Sequence, residues 1–367
     1  MSFSDTYRGR RVLITGHTGF KGSWLTAWLL KLGAEITGVS KDVPTKPSIF
    51  EELGLAPRIR HHQTDIRDLG AMRDIISSEQ PDFVFHLAAQ AIVSTSYTDP
   101  VETMTTNAVG TMNVLEALRH FNRPCIAVFI TSDKCYDNVE WVWGYRETDA
   151  LGGRDVYSGS KGAAELVIKC YLHSFFQNGH PVRLAVGRAG NVIGGGDWAR
   201  DRIVADCMRA WSEGRTVEIR SPHATRPWQH VLEPLSGYLV LGKALADRPG
   251  LHGETFNFGP RSEQNRTVVE LLTDLAQRWG FANAGEACRV TGDIPFLEAG
   301  LLKLNCDKAL VHLGWRPTLD YGETIRFVGD WYYAYYRERG DMYALTQNQI
   351  TGYERLAAER TQAWSSR

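Results

Sequence analysis

The sequence predicts an α/β fold, a doubly wound parallel sheet with a smaller, interleaved α/β substrate-binding domain. Three observations carry this. Apolar strand patterns alternate with helical patterns through the first half of the 367 residues, and such alternation makes a parallel sheet covered on both faces. A glycine-rich turn joins the first strand to the first helix. The polar residues with reactive side chains fall at the carboxyl ends of strands, where open α/β sheets bind their ligands.

The elements follow in order. Arg11–Thr15 reads as a buried strand, and Ser23–Leu32, with Trp24, Leu25, Trp28 and Leu29 at helical spacing, as a helix. Glu35–Ser40 and Ile59–Thr64 are the second and third strands, followed by a helix over Leu69–Ser78. Asp82–Leu87 is the fourth strand, Thr103–His120 a helix and Cys125–Thr131 the fifth strand. A long amphipathic helix over Ser158–Phe176 precedes a sixth strand at Val182–Gly187. Beyond Arg188 come a glycine-rich loop at 191–197, a strand at Thr255–Gly259 and a helix at Val268–Trp279. The domain division expected is 1–188 with about 227–258 for the nucleotide-binding part, about 189–226 with 259–330 for the substrate part, and a polar helical tail over 331–367.

Between the first strand and helix stands Gly16-His17-Thr18-Gly19-Phe20-Lys21-Gly22. The first glycine permits a tight turn and the second lets backbone approach a pyrophosphate. The third lets the helix pack on the strand with its N-terminal amides facing the phosphates. This is a Rossmann dinucleotide site, with His17 lining the phosphate loop.

Tyr157 and Lys161, four apart, share a helix face. There the ammonium is expected to lower the phenol from its usual value of about 10, making a base for an alcohol proton. Ser132 hydrogen-bonds the same oxygen, and Asp133 and Lys134 supply an extra acid and amine. A simple alcohol dehydrogenase needs no such extra pair.

Composition sets outer limits. A net charge of −1 gives no field for nucleic acid or an anionic membrane. No apolar run approaches the roughly 20 residues that span a bilayer, and the opening MSFSDTYRGRR has no apolar signal segment. Six scattered cysteines (125, 135, 170, 207, 288, 306), without zinc spacing, point to reduced cytoplasmic thiols and no metal site.

Together these residues resemble the extended short-chain dehydrogenase/reductases, and within them the nucleotide-sugar 4,6-dehydratases. The resemblance covers roughly Arg10 to Tyr353. The strings GHTGFKGSWL at 16–25, TSDKCYDN at 131–138, GRAGNVIGGGDWARDRIVAD at 187–206 and RPWQHVLEPLSGYL at 226–239 look most like the branch that uses CDP-glucose. The Asp-Lys pair is the sharpest, since similar dTDP-glucose enzymes carry Asp-Glu there. The chain departs from relatives at Ser94, where an Arg is usual, and at Pro295-Phe296-Leu297-Glu298-Ala299, with Leu in place of His.

The resemblance implies NAD as cofactor, a nucleotide sugar as substrate and a homodimer built on a four-helix bundle. It implies an internal redox cycle with catalytic residues Ser132, Asp133, Lys134, Tyr157 and Lys161. Tyr157 removes the carbon-4 hydroxyl proton, and Asp133 protonates the departing carbon-6 hydroxyl. Lys134 is either the carbon-5 base, which requires desolvation and Lys161 to lower its pKa, or an orienting group. Cofactor contacts are expected from Gly16, His17, Thr18, Gly19, Phe20 and Gly22, from Ser40, Asp65 and Ile66 at the adenosine end, and from Leu87, Ala88, Ala89, Asn107, Thr131, Tyr157, Lys161 and Arg188. Lys41, beside Ser40 and Asp42, leaves NAD favoured over NADP mainly through the resemblance. Substrate contacts are expected from Gln90, Ser132, Asn191, Arg202, Arg226, Trp228 and Asn257. Two other readings compete, an epimerase or dehydratase of another nucleotide sugar and a non-catalytic NAD-binding regulator. The intact Ser132, Tyr157 and Lys161 argue against the regulator.

Overall fold

In the computed structural model, residues 3–177, 179–219, 222–261, 263–290 and 301–365 are described. The Pro295–Ala299 string lies outside them. Seven parallel strands form the central sheet: β1 (Arg11–Thr15), β2 (Glu35–Ser40), β3 (Arg60–Gln63), β4 (Phe83–His86), β5 (Cys125–Ser132), β6 (Val182–Ala189) and β7 (Thr255–Phe258). Their order is β7-β6-β5-β4-β1-β2-β3, so the direction of winding reverses between β1 and β4. A crevice opens at such a reversal, outside the strand ends.

Alternate residues of each strand enter opposite cores. Leu13, Val84, Phe129 and Leu184 pack with helices α2 (Leu69–Glu79), α3 (Gly110–Arg119) and α4 (Val156–Phe175). Ile14, Phe85, Val128 and Ala185 pack on the other face with α1 (Phe20–Lys31) and α5 (Leu232–Asp247). Each such buried aliphatic or aromatic side chain contributes about 1.5–3 kcal/mol.

Helix α1 starts at Phe20, three residues earlier than expected, which puts Lys21 and Gly22 in its first turn. Helix α4 starts at Val156 because Asp155 caps it, accepting from the Ser158 N–H at 2.9 Å. The expected 103–120 helix is continuous but not regular. Pro100–Met104 leads into one π-helical turn, Thr105–Val109, before α3. That turn carries Asn107, whose amide donates to Gln90 O at 3.1 Å and Ser160 Oγ at 2.8 Å.

Past β6 the described residues form three two-stranded pairs: Val192–Ile193 with Gln229–His230, Thr225–Arg226 with Arg266–Thr267, and Val217–Ile219 with Cys288–Val290. Helices α6 (Val268–Trp279), α7 (Tyr321–Tyr333) and α8 (Met342–Glu359) complete this part. The expected polar tail is strongly anchored instead. Trp331, Tyr332 and Tyr353 are fully buried, and Glu354 accepts from Trp28 Nε1 at 2.8 Å. The sequence signal for this was the aromatic run 331–336, whose rings pack on Trp198.

Candidate active site

The glycine turn forms a cradle. Gly16 has φ +77°, and a Cβ there would stand 2.7 Å from the Ala88 amide nitrogen. On Gly22 it would reach 2.1 Å from Gly16 O, so α1 can approach the turn only with glycine at that place. Gly19 caps α1 in extended conformation without a side chain over the first amides. Those amides face the crevice between β1 and β4, an anion site by geometry and by helix dipole.

His17 is buried beneath this cradle, with Nδ1 3.0 Å from Ser40 Oγ and Nε2 2.7 Å from His61 Nδ1. Burial, with His61 adding to it, lowers its pKa to about 4, so the ring is neutral. Thr18 donates through Oγ1 to Asp42 O at 2.7 Å. Ser40 is therefore held inside, while Asp42 is exposed at the strand's end. Asp65 is ion-paired with Arg67 at 2.6 Å, and Arg67 and Lys41 both bind Glu102. Ile66 is buried against Gly110. Leu87 N donates to Thr15 O, Ala88 N donates to Thr15 Oγ1, and Ala89 follows on the half-buried wall. A cavity of about 10 Å³, the size of one water, is lined by Ala88, Ala89, Asn107, Thr131 and Lys161.

The residues expected to be catalytic gather where β5 ends and α4 begins. Ser132 Oγ donates to Asp133 Oδ1 at 2.8 Å and accepts from Lys134 N at 3.2 Å. Asp133 is buried, and a Cβ on Gly190 would stand 3.1 Å from its Oδ2, so the carboxyl is closely placed. Burial raises its pKa, against the opposing pull of Lys134, Ser132 and Lys21. A buried acid that keeps its proton is what a leaving hydroxyl requires. Lys134 is half-buried beside it.

Tyr157 corrects one expectation. Burial dominates and pushes the phenol up to about 12, while Arg202 and the Ser132 hydroxyl pull it down. Lys161 Nζ stands 5.6 Å from the Tyr157 ring centroid. Its own pKa falls to about 8 through burial and through Lys21. The protein's desolvation of the phenol thus outweighs the nearby ammonium.

Arg188 and Asn257, expected at cofactor and substrate, are placed in a buried network instead. Arg188 forms a two-pronged pair with Glu165, at 2.8 and 2.9 Å, and donates to Tyr136 Oη at 2.7 Å. Tyr136 donates to Asn257 Oδ1 at 2.8 Å, and the Asn257 amide donates to Tyr145 O and Asn305 O. Thr131 Oγ1 donates to Glu165. All of their polar reach is spent on protein, because charges this deeply buried must be paired. Gln90 likewise turns its amide onto Thr103 Oγ1 at 2.8 Å and accepts from Ile92 N. Sequence reasoning missed Glu165 and Tyr136. The signal for Glu165 was its place four residues after Lys161 on α4.

On the substrate side, Asn191 and Arg202 are half-buried, and Arg202 donates to Ala91 O at 3.4 Å. Arg226 is half-buried on the short Thr225–Arg226 strand, where its Nη1 donates to Thr225 O at 2.9 Å. Trp228 is buried. Ser94, the departure from relatives, donates to Asp201 Oδ2 at 2.5 Å and so ties the 93–98 helix to the 197–202 loop.

A parallel sheet of this order, with a glycine turn and a Tyr-x-x-x-Lys helix beside Ser132, defines an extended short-chain dehydrogenase/reductase. The chain belongs to the nucleotide-sugar dehydratase family described as GDP-mannose 4,6 dehydratase, whose model matches residues 13–328. It is 45% identical to the CDP-glucose 4,6-dehydratase of Salmonella typhimurium, over 95% of this chain and 97% of that one. To the dTDP-glucose 4,6-dehydratase of Shigella flexneri it is 26% identical, over 88% of this chain and 93% of that one. Among solved structures it is similar to a dTDP-glucose 4,6-dehydratase of Streptomyces venezuelae with NAD bound (TM-score 0.75, 22% identity, 90% and 98% coverage). It is also similar to a UDP-glucuronic acid 4-epimerase of Bacillus cereus with UDP-glucuronic acid and NAD (TM-score 0.76, 21% identity, 90% and 100% coverage).

Proposed function

We propose that the chain is a CDP-glucose 4,6-dehydratase, a carbon–oxygen lyase that makes CDP-4-keto-6-deoxyglucose with NAD as a recycled cofactor. The observation that carries the dehydration is the buried Asp133 carboxyl, held by Ser132 and flanked by Lys134, beside the Tyr157 phenol. The base preference rests on the 45% identity over nearly the whole length, against 26% for the dTDP-glucose relative.

The cradle fits NAD, since the places where Cβ atoms would collide are glycine and the first amides of α1 are uncovered. The glycine turn and the first amides of α1 would hold NAD, which would supply a hydride acceptor for carbon 4 and, once reduced, a hydride donor for carbon 6. Tyr157 would remove the carbon-4 hydroxyl proton as the phenolate, the form that Arg202 and the Ser132 hydroxyl favour against burial. The ketone so formed acidifies the carbon-5 proton, for which Lys134 is assigned as the base, an orienting role being the alternative. Asp133 gives its proton to the carbon-6 hydroxyl, which leaves as water. Arg202, Arg226 and Asn191 are assigned to the nucleotide sugar. The division into a dinucleotide part (1–188 with about 227–258) and a sugar part (about 189–226 with 259–330) follows the same reading.

The reading extends to a cytoplasmic homodimer. Tyr97, Val101 and Met104 on the 93–104 segment and Leu166 on α4 are exposed apolar residues on adjoining helices, the composition of a helix-bundle interface. Incubation with CDP-, dTDP-, UDP- and GDP-hexoses, followed by alkali, tests the function. A 4-keto chromophore is expected with CDP-glucose, and its absence with every sugar would remove the dehydratase reading.

A further inference from the structure

Lys41 is out of keeping with a site for NAD. The adenosine ribose of a dinucleotide is read at the end of the second strand, and a cation there accommodates the 2′-phosphate of NADP. Here β2 ends at Ser40, whose hydroxyl is taken up inside, 3.0 Å from His17 Nδ1. Lys41 follows directly and is exposed. The glycine turn is bonded to this same place, through Thr18 N to Ser40 Oγ at 3.4 Å and Thr18 Oγ1 to Asp42 O at 2.7 Å. A second cation, Arg67, stands past the end of β3.

Both cations are already held. Lys41 Nζ meets Glu102 Oε1 at 2.5 Å, and Arg67 Nη1 meets Glu102 Oε2. Arg67 Nε and Nη2 donate to Asp65 Oδ2 at 3.0 and 2.6 Å. Glu102 comes from neither strand end but from Pro100–Met104, ahead of the π-helical turn, so one carboxylate joins three elements. Its side chain is 22% exposed, against 44% for Lys41. The Lys41 hydrogen bond holds the Glu102 carboxyl below the usual carboxylate range, so it is charged at neutral pH. Two carboxylates and two cations leave the cluster without net charge. A phosphate arriving here would have to break the Glu102 pairs and would then face the carboxylate it displaced. A neutral ribose diol meets neither cost.

We propose that Glu102 makes the adenosine end select NAD over NADP, by occupying the two cations, Lys41 and Arg67, that would otherwise hold a 2′-phosphate. This rests on the reading of the chain as an NAD-binding dehydratase.

Calorimetric titration of nucleotide-free protein with NAD and with NADP, at low ionic strength, reads the selectivity without turnover. The wild type is expected to bind NAD more tightly. Glu102→Gln keeps the shape and releases both cations. It is expected to raise NADP affinity about tenfold while NAD affinity stays within about twofold. Adding Lys41→Met should take back most of that gain. Asp42→Asn, which removes the exposed carboxylate two residues past β2, should give no gain. An NADP-to-NAD affinity ratio unchanged by Glu102→Gln overturns the proposal, as does a gain that appears with Asp42→Asn instead or that Lys41→Met leaves whole. Equal wild-type affinities for NAD and NADP overturn it too. If the Gln variant does not fold, Glu102→Ser takes its place. A wild-type protein that binds neither dinucleotide contradicts the functional reading itself, a failure distinct from that of Glu102.

Discussion

At the scale of single residues, the proposed mechanism gives Tyr157 and Asp133 separate halves of one reaction, which substitution can separate. Tyr157→Phe removes the phenol beside Ser132 where β5 ends and α4 begins, so sugar oxidation is expected to be lost and no reduced cofactor to form on adding CDP-glucose. Asp133→Asn keeps the shape but cannot give up a proton, so oxidation should survive and water loss should slow by about 10²-fold or more. Near-ultraviolet absorbance of reduced cofactor should then build up in the Asn variant. Complete loss of that signal in a variant that still binds sugar would place Asp133 in the oxidation step. The serine, acid, lysine and tyrosine were legible in the sequence because each has a fixed spacing from a strand end or along a helix. The raised Tyr157 pKa was not, because burial depends on every element packed around the phenol.

At the scale of elements, the ends of β5, β6 and β7 are fastened by the Thr131–Glu165–Arg188–Tyr136–Asn257 network. Glu165→Leu leaves a buried guanidinium without its partner and is expected to cost about 3–5 kcal/mol in denaturant unfolding. A change below 1 kcal/mol would show that the pair is not structural. Arg188 and Asn257 looked like ligand residues in the sequence because they stand at strand ends, and position alone does not tell which polar group a neighbouring helix will claim. Glu233 does similar work at the start of α5, accepting from the Thr318 and Leu319 amides and from Tyr353 Oη. Burial raises its pKa from 4.5 to about 7. With the folded value above the unfolded one, its contribution is fully present below about 4.5 and is lost as pH rises through about 7. The melting temperature of the wild type relative to a Glu233→Gln variant should therefore fall between pH 5 and pH 8, the comparison cancelling the opposite slope from buried neutral histidines such as His17. An unchanged profile in the variant would exclude Glu233 as its source.

At the scale of the whole molecule, alternation and the glycine turn made the sheet legible, since both follow from local periodicity. The short strand pairs after β6 were not, because two-residue strands leave no period to read. Association belongs to this scale as well. Val101 and Leu166 are 70% and 53% exposed on adjoining helices, and if the proposed dimer forms through them, the double substitution Val101→Asp, Leu166→Asp is expected to give a monomer by light scattering and the wild type a dimer. A wild-type monomer at micromolar concentration would contradict that interface.

The central claim is that one active site moves a hydride within one sugar, from carbon 4 to carbon 6, while Asp133 releases water between the two transfers. CDP-glucose deuterated at carbon 4 tests it most directly, with the product examined by mass spectrometry and NMR. The account predicts that the deuterium is retained and found at carbon 6 of the 4-keto-6-deoxy sugar, with a solvent-derived hydrogen at carbon 5. Deuterium lost to solvent, or a product still carrying its carbon-6 hydroxyl, would contradict it.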